Sequence, residues 1–254
     1  MKVFLDLDGT LHDSHSFWFK ASKTAVNAML ANGLDQYSDF NKAFGKLEEI
    51  YSREANSAEH YDLLVKALVP LAKRRGKSFD KIVSAGVNAF KEVKHDGESF
   101  KPNPHVVDFL TWAKANGVEL FLVTSGIRRK QWDKLHRLGL SDFFDEEHVL
   151  TTGDVGFFKG ISRYVRPLVR RPLIGLKNHL FYGYVLRKTK SKPEDVLMVG
   201  DNEKNDIIPA NKRGISTIRF FAGKYGNHEV NTMGTYSATN FKEVKQIVKR
   251  HFEL

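Results

Sequence analysis

The sequence lacks several features that would decide a protein's class at once. It has no cysteine in 254 residues, which excludes disulfide bonds and any thiolate nucleophile or metal ligand. No apolar run approaches the length of about 18 residues that a membrane-spanning helix needs. A strand-like apolar segment starts almost at the N-terminus, which leaves no room for a signal peptide. We therefore expect a cytoplasmic protein.

One long segment also lacks acidic residues. Residues 155–193 contain no Asp or Glu but ten Lys or Arg, and this excess equals the net charge of the whole chain, +10. A surplus of positive charge favours anionic partners. Three interpretations stay open: a solvated face, a contact for an anionic polymer such as nucleic acid or for an anionic membrane, and a docking segment for a partner. The sequence gives no indication of the oligomeric state.

Residues 14–99 show helical spacing and little strand character. Apolar residues recur on one helical face from Phe17 to Met29, and Asn32-Gly33 is a fitting helix end. The further helical segments predicted in this block are 36–54, 57–75 and 78–93. The loop HDGESFKPNPH follows the block and has the turn residues of a domain boundary.

After residue 100 the pattern changes to an alternation of strands and helices. The apolar segments VELFLVTSG, DVLMVGDN and GISTIRFF are predicted strands, and helical stripes separate them. Such alternation with short joints is typical of a parallel sheet with helices on both faces. We predict an α/β fold: a doubly wound, Rossmann-like parallel sheet formed by residues 1–13 and 100–254. Residues 14–99 would be inserted after the first strand as an α-helical cap domain.

Three of the predicted strands end in polar residues. The first leads into Asp6 and Asp8, the second into Thr124 and Ser125, and a later one into Asp201 and Asp206. Because side chains alternate along a strand, Asp6 and Asp8 are expected to point to the same side. Ligands bind beyond the carboxyl ends of the strands in an open parallel sheet. Carboxylates that converge there repel each other unless a hard divalent cation lies among them, and oxygen ligands suit Mg²⁺.

The motifs DLDGTL, LVTSG and VGDNEKNDI, in this order, resemble those of the haloacid dehalogenase superfamily of phosphotransferases. The resemblance covers roughly residues 1–13 and 100–245. The helical insertion is similar to the cap of the phosphoglycolate phosphatase and phosphoglucomutase-like branch. Dehalogenases of the superfamily lack an acid at the place of Asp8, so its presence points to phosphate esters. The resemblance implies a Mg²⁺-dependent phosphatase that hydrolyses a small phosphorylated metabolite through an aspartyl-phosphate.

The resemblance also implies a role for each acid. Asp6 would be the nucleophile and a metal ligand. Asp8 would protonate the leaving alcohol and then activate water, while its main-chain carbonyl would bind the metal. Asp201 would complete the coordination, and Asp206 would be a further or alternate ligand.

The same resemblance implies which groups hold the phosphoryl oxygens. They would be the Thr124 hydroxyl and the main-chain N–H groups at the start of the next helix, at Ser125 and Gly126. The family also uses a lysine at the head of a helix, about two dozen residues before the last acidic motif. Lys177 lies 24 residues before Asp201, whereas Lys159 lies 42 residues before it, and neither is followed by the usual proline. We choose Lys177 and interpret residues 157–175 as an insertion.

Two alternative functions stay open. A phosphomutase of the same superfamily would keep all of these residues. A protein that chiefly binds an anionic surface through residues 155–193 would make catalysis secondary, although the intact carboxylates argue against it. The substrate itself is not readable, because the cap helices carry no recognisable signature.

Overall fold

The computed structural model describes residues 1–53, 60–74, 77–95, 100–155, 177–221 and 234–254. They fall into two compact units, one formed by Met1–Asp13 with Lys101–Leu254 and the other by Ser14–Phe100. None of the helices within these described ranges is long and apolar enough to cross a membrane.

The unit Ser14–Phe100 is helical. Its α-helices are α1 (Ser14–Ala31), α2 (Phe40–Arg53), α3 (Tyr61–Leu68) and α4 (Lys77–His95). α1 packs along α4, and Gly86 of α4 permits this approach, since an added Cβ would lie 2.7 Å from the Met29 sulfur. The apolar stripe of α1 forms part of the core, in which Trp18 stacks on Tyr51 with ring centroids 4.0 Å apart.

The other unit is built on a parallel sheet that has six strands within the described residues. The strands are β1 (Lys2–Leu5), β2 (Glu119–Thr124), β3 (Val149–Thr151), β4 (Val196–Gly200), β5 (Ser216–Phe220) and β6 (Tyr236–Ala238). Their order across the sheet is β3-β2-β1-β4-β5-β6, and every neighbouring pair is parallel. Because β1 lies between β2 and β4, the residues that follow these three strands meet at one edge.

Helices cover both faces of this sheet. They are α5 (Val106–Ala115), α6 (Arg128–Arg137), α7 (His179–Lys188), the short α8 (Ile208–Asn211) and α9 (Phe241–Phe252). On one face, Phe181 and Tyr182 of α7 share an apolar cluster with strand residues such as Phe4. On the other face, Phe109 of α5 meets Phe241 of α9 with ring centroids 5.4 Å apart.

α6 belongs to the same layer as α5. The turn Ser141–Phe143 contacts both helices, and the ammonium of Lys114 on α5 donates to the Asp142 carbonyl in that turn at 2.8 Å. The right-handed crossover rule gives the same assignment. The connections through α5 and α6 lead toward the β3 edge of the sheet, whereas the connection through α7 leads back toward β4, so α7 lies on the opposite face. The predicted doubly wound α/β fold is confirmed.

Candidate active site

The carboxyl ends of β2, β1 and β4 bring the predicted site residues to one edge of the sheet. The acids reach this edge at the ends of strands or just after them: Asp6 and Asp8 after β1, and Asp201 and Asp206 after β4. Asp206 lies in the π-helical segment Glu203–Ile207, a rare geometry that is frequent at functional sites. Thr124 is the last residue of β2.

Three of the carboxylates lie close together at this edge. Asp6, Asp201 and Asp206 each offer an oxygen atom, and these atoms all lie within 4.8 Å of one another. We call these residues the acidic cluster. Asp6 and Asp206 are buried, whereas Asp201 is partly exposed. Hard oxygen donors at such separations fit Mg²⁺, so the donor set agrees with the cation that the sequence predicts.

Lys177 lies within the acidic cluster. Only 3% of this residue is exposed, and its ammonium donates to Asp6 Oδ1 at 2.5 Å and to the main-chain oxygen of Val123 at 3.2 Å. It also forms an ion pair with Asp206. Lys177, which we chose over Lys159 from the sequence, is therefore in contact with Asp6. Lys159 lies outside the described residues, as does the predicted insertion 157–175.

Burial and charge perturb the acid–base behaviour of this group. Burial raises the pKa of Asp6 to about 7, although Lys177 acts in the opposite direction, and Asp206 adds to the rise. Burial likewise raises the pKa of Asp206 against the effect of Lys177. Burial alone would lower the pKa of Lys177, but Asp206 and Asp6 outweigh it and hold that pKa well above its ordinary value. A cation in the acidic cluster would favour the ionised carboxylates.

Asp8 does not share the surroundings of Asp6. Its carboxylate accepts from the ammonium of Lys134 on α6. Partial burial would raise the pKa of Asp8, but Lys134 outweighs this effect and lowers it. Asp6 and Asp8 therefore contact lysines that come from opposite helical layers, since Lys177 immediately precedes the N-cap of α7. The spacing of the acidic motifs gave no signal for Lys134.

The expectation that Asp6 and Asp8 point to the same side of a strand does not hold. β1 ends at Leu5, before either acid. The chain then turns tightly, with the His12 N–H donating to the Leu7 carbonyl at 3.0 Å and the Gly9 N–H to the His12 carbonyl at 2.8 Å. Alternation with period two applies only within an extended strand, so it cannot fix the direction of Asp8.

Two glycines permit the close approach of the acids. Gly9 has a φ of +88°, and an added Cβ would lie 2.2 Å from Asp201 Oδ2. At Gly200 an added Cβ would lie 2.5 Å from the Cβ of Asp206. Any side chain at either position would therefore push a carboxylate of the acidic cluster out of place. This gives a physical reason for the glycine in both DLDGT and VGDN.

The segment after β2 is fixed by hydrogen bonds. Thr124 is buried, and the Ser125 carbonyl accepts from Gln131 Nε2 of α6 at 2.7 Å. The Gly126 N–H donates to Thr152 Oγ1 at 3.0 Å. These bonds hold the predicted phosphate-binding turn against α6 and against the segment that follows β3. A phosphate contact from the Gly126 N–H would have to replace its bond to Thr152.

The basic segment 155–193 is described only at Val155 and over 177–193. One of its ten basic residues, Lys177, is internal to the site and contributes nothing to a surface patch. Nothing in the described part of the segment supports a contact with an anionic polymer or a membrane, so that interpretation stays a prediction.

Comparison with known proteins decides the family. A family model for haloacid dehalogenase-like hydrolases matches residues 3–214. The chain belongs to this family. The glyceraldehyde 3-phosphate phosphatase of Methanocaldococcus jannaschii is 33% identical over 248 residues, which cover 97% of this chain and 96% of that protein. Phosphoglycolate phosphatase 1 of Pseudomonas aeruginosa is 28% identical over 228 residues, or 89% of this chain and 70% of that one.

A solved structure supports the fold of this haloacid dehalogenase-like hydrolase. The HAD phosphatase from Thermococcus onnurineus superposes with a TM-score of 0.61 at 19% identity, covering 98% of each chain. The resemblance recognised from the three motifs is confirmed by the family match, and so is the class of enzyme. The protein is a phosphoric monoester hydrolase.

Proposed function

We propose that the protein is a Mg²⁺-dependent phosphatase that transfers the phosphoryl group of a small metabolite first to Asp6 and then to water. The contact of the buried Lys177 with Asp6, inside the acidic cluster, is the observation that supports this most directly. A buried cation beside a nucleophilic carboxylate offsets the charge that a phosphoryl group would bring.

In the first half-reaction, an Asp6 oxygen bonds to phosphorus and the ester P–O bond breaks. Protonated Asp8 gives its proton to the leaving alkoxide. Lys177 stays against Asp6 and faces the phosphoryl oxygens, and the Thr124 hydroxyl donates to one of them. Mg²⁺ bound by the acidic cluster would neutralise part of the charge on the phosphoryl group.

In the second half-reaction, water attacks the phosphorus of the aspartyl-phosphate. Asp8, now a carboxylate, takes a proton from that water, and the bond between phosphorus and the Asp6 oxygen breaks to release inorganic phosphate. Asp8 thus ends the cycle with the proton that it lost at the start. The pairing of Asp8 with Lys134 favours the carboxylate form that this half needs.

We propose small phosphorylated metabolites as substrates, with glyceraldehyde 3-phosphate as the first candidate. The 33% identical relative that this chain matches over almost its whole length is named for that substrate. The helical unit Ser14–Phe100 is proposed to act as a cap that selects the leaving group. A phosphomutase would use the same catalytic residues but would need a sugar acceptor. The cytoplasmic location stays a prediction from the sequence.

The test compares Asp6→Asn with Asp133→Asn, an exposed aspartate on α6, as a matched control. We expect phosphate release from glyceraldehyde 3-phosphate and from 4-nitrophenyl phosphate to be lost in Asp6→Asn and unchanged in Asp133→Asn. EDTA should abolish wild-type activity, and Mg²⁺ should restore it. Undiminished hydrolysis by Asp6→Asn would overturn the nucleophile. Activity that appears only with a sugar bisphosphate activator would favour the phosphomutase.

A further inference from the structure

The two acids of the DLD motif are separated by their partners. The Asp8 carboxylate is not one of the three carboxylates that converge in the described part of the chain, although Asp8 is only two residues from Asp6. It contacts Lys134 instead, with side-chain exposures of 40% for Asp8 and 25% for Lys134. The ion pair is therefore partly exposed, whereas the pair of Lys177 with Asp6 is buried.

The helix that carries Lys134 is itself held in place. Arg128 in its first turn donates to both carboxylate oxygens of Asp154, at 3.1 and 2.9 Å. Gln131, one turn before Lys134, is buried and bonded to the Ser125 carbonyl. α6 is thus fastened at two points to the segments that follow β2 and β3. The helix backbone that carries Lys134 is therefore fixed in position.

We propose that Lys134 is a positioning residue that holds the Asp8 carboxylate against α6 and so keeps it out of the acidic cluster. This inference rests on the proposed function, since it assumes a cation in that cluster and a proton-transfer role for Asp8. It assigns a role to a residue outside the motifs that define the family.

Two positively charged partners, a cation in the acidic cluster and the Lys134 ammonium, would compete for the Asp8 carboxylate. Asp8 has a short side chain on a tight turn, close to a site that gathers three other carboxylates. A divalent cation there would attract a fourth, because cation affinity rises with the number of charged ligands. A carboxylate bound in that way could not carry a proton to the leaving group. The Lys134 ammonium offers Asp8 an alternative partner on the opposite side, and His12 and Lys177 are further titratable groups whose charges act on Asp8.

The first test measures cation binding in the absence of turnover. Mn²⁺ binding to EDTA-treated protein is followed by electron paramagnetic resonance for wild type, Lys134→Met and Lys134→Arg. We expect Lys134→Met to bind Mn²⁺ about tenfold more tightly as Asp8 joins the ligands, and Lys134→Arg to behave as wild type. Lys130→Met removes the same charge from an exposed position on α6 and controls for the general loss of positive charge.

Asp8→Asn completes a double-mutant cycle with Lys134→Met. If Lys134 acts through Asp8, the gain in Mn²⁺ affinity disappears when Asp8 is already Asn. An equal gain in the Asp8→Asn background, or no gain at all, would overturn the proposal. Circular dichroism establishes that each variant is folded, and Lys134→Gln carries the same test should Lys134→Met not fold.

The second test uses the leaving group. 4-Nitrophenolate leaves without a proton, whereas the alkoxide of glyceraldehyde 3-phosphate needs one, and a positioned acid contributes about 10²–10⁴-fold to such a step. We expect Lys134→Met to lower kcat/KM for glyceraldehyde 3-phosphate by about tenfold or more, with little change for 4-nitrophenyl phosphate. A purely structural role would lower both values together, and that outcome would contradict the inference.

The proposed function and the role of Lys134 can be refuted separately. If wild type binds no Mn²⁺, or if Asp8→Asn lowers kcat/KM equally for both esters, the proposed function is wrong. If wild type and Asp8→Asn behave as proposed but Lys134→Met matches Lys130→Met, only the role of Lys134 is wrong.

Discussion

Replacing Lys177 by Met should destabilise the metal-free protein in a pH-dependent way. At the 2.5 Å that separates Lys177 Nζ from Asp6 Oδ1, two unit charges attract by about 7 kcal/mol for an effective dielectric constant of about 20. Most of this attraction is offset by the free energy that it costs to remove the two buried charges from water. Removing one partner nevertheless costs about 3–5 kcal/mol, because the other stays buried without compensation. We expect a loss in this range at pH 8.

The loss should be smaller at pH 5 than at pH 8. The pKa of Asp6 is already raised from 3.8 to about 7 in the folded protein, chiefly by burial, and Lys177 acts to lower it. Without Lys177 the pKa of Asp6 rises further, so the folded variant binds more protons than the unfolded chain up to a higher pH. Its free energy of unfolding therefore falls more steeply than that of wild type as the pH rises. At pH 5 the Asp6 carboxyl group is protonated and neutral, so it needs no positive charge from Lys177 to compensate it.

The assay is urea unfolding in EDTA, followed by circular dichroism at both pH values. Lys188→Met, an exposed lysine at the end of α7, is the matched control and should unfold as wild type does. If Lys177→Met unfolds at the wild-type urea concentration at pH 8, Lys177 does not compensate the buried carboxylates, and the electrostatic account of the site is wrong. A loss of equal size at pH 5 and pH 8 would contradict the protonation of Asp6.

Two Gly→Ala substitutions should have opposite effects. Gly9→Ala places a side chain on a backbone with a φ of +88°, and its Cβ would lie 2.2 Å from Asp201 Oδ2. We expect phosphatase activity to be lost and the free energy of unfolding to fall by about 1–3 kcal/mol. Activity above half the wild-type value would refute the steric argument. Gly45→Ala lies within α2, where an added Cβ meets nothing within 4 Å, and thermal unfolding should show a gain of about 0.5–1 kcal/mol with unchanged activity.

The sequence was sufficient to predict the sheet and the residues that gather at its edge. Fully apolar strands such as VLMVG are buried on both faces, so their period and composition predict a parallel sheet directly. The position of Asp201 next to Asp6 follows from the strand order, because β1 and β4 are neighbours and both end just before their acids. Lys177 was selected by its spacing from the last acidic motif, and it lies beside Asp6.

The direction of Asp8 could not be predicted in the same way. It depends on where β1 ends, and one strand residue more or less reverses the face to which the next side chain points. FLDLDGTL has no residue before Gly9 that marks the end of the strand, yet the strand stops at Leu5. Lys134 is similarly unmarked, since the periodic pattern of α6 identifies an apolar face at residues such as Leu135 but not the partner of a lysine beside that face.

The separation of Asp6 from Asp8 gives a physical basis for assigning different chemistry to two identical side chains. Each acid has a lysine partner, but one ion pair is buried and the other is open to solvent. Burial raises the pKa of Asp6, which therefore depends on positive charge to be ionised, whereas Lys134, with contributions from His12 and Lys177, lowers the pKa of Asp8 against the effect of burial. An acid that must exchange a proton twice in each cycle needs such access to solvent, and an acid that bonds to phosphorus needs a dry, fixed position. The geometry of the two lysines thus separates the roles that the DLD motif alone leaves equal.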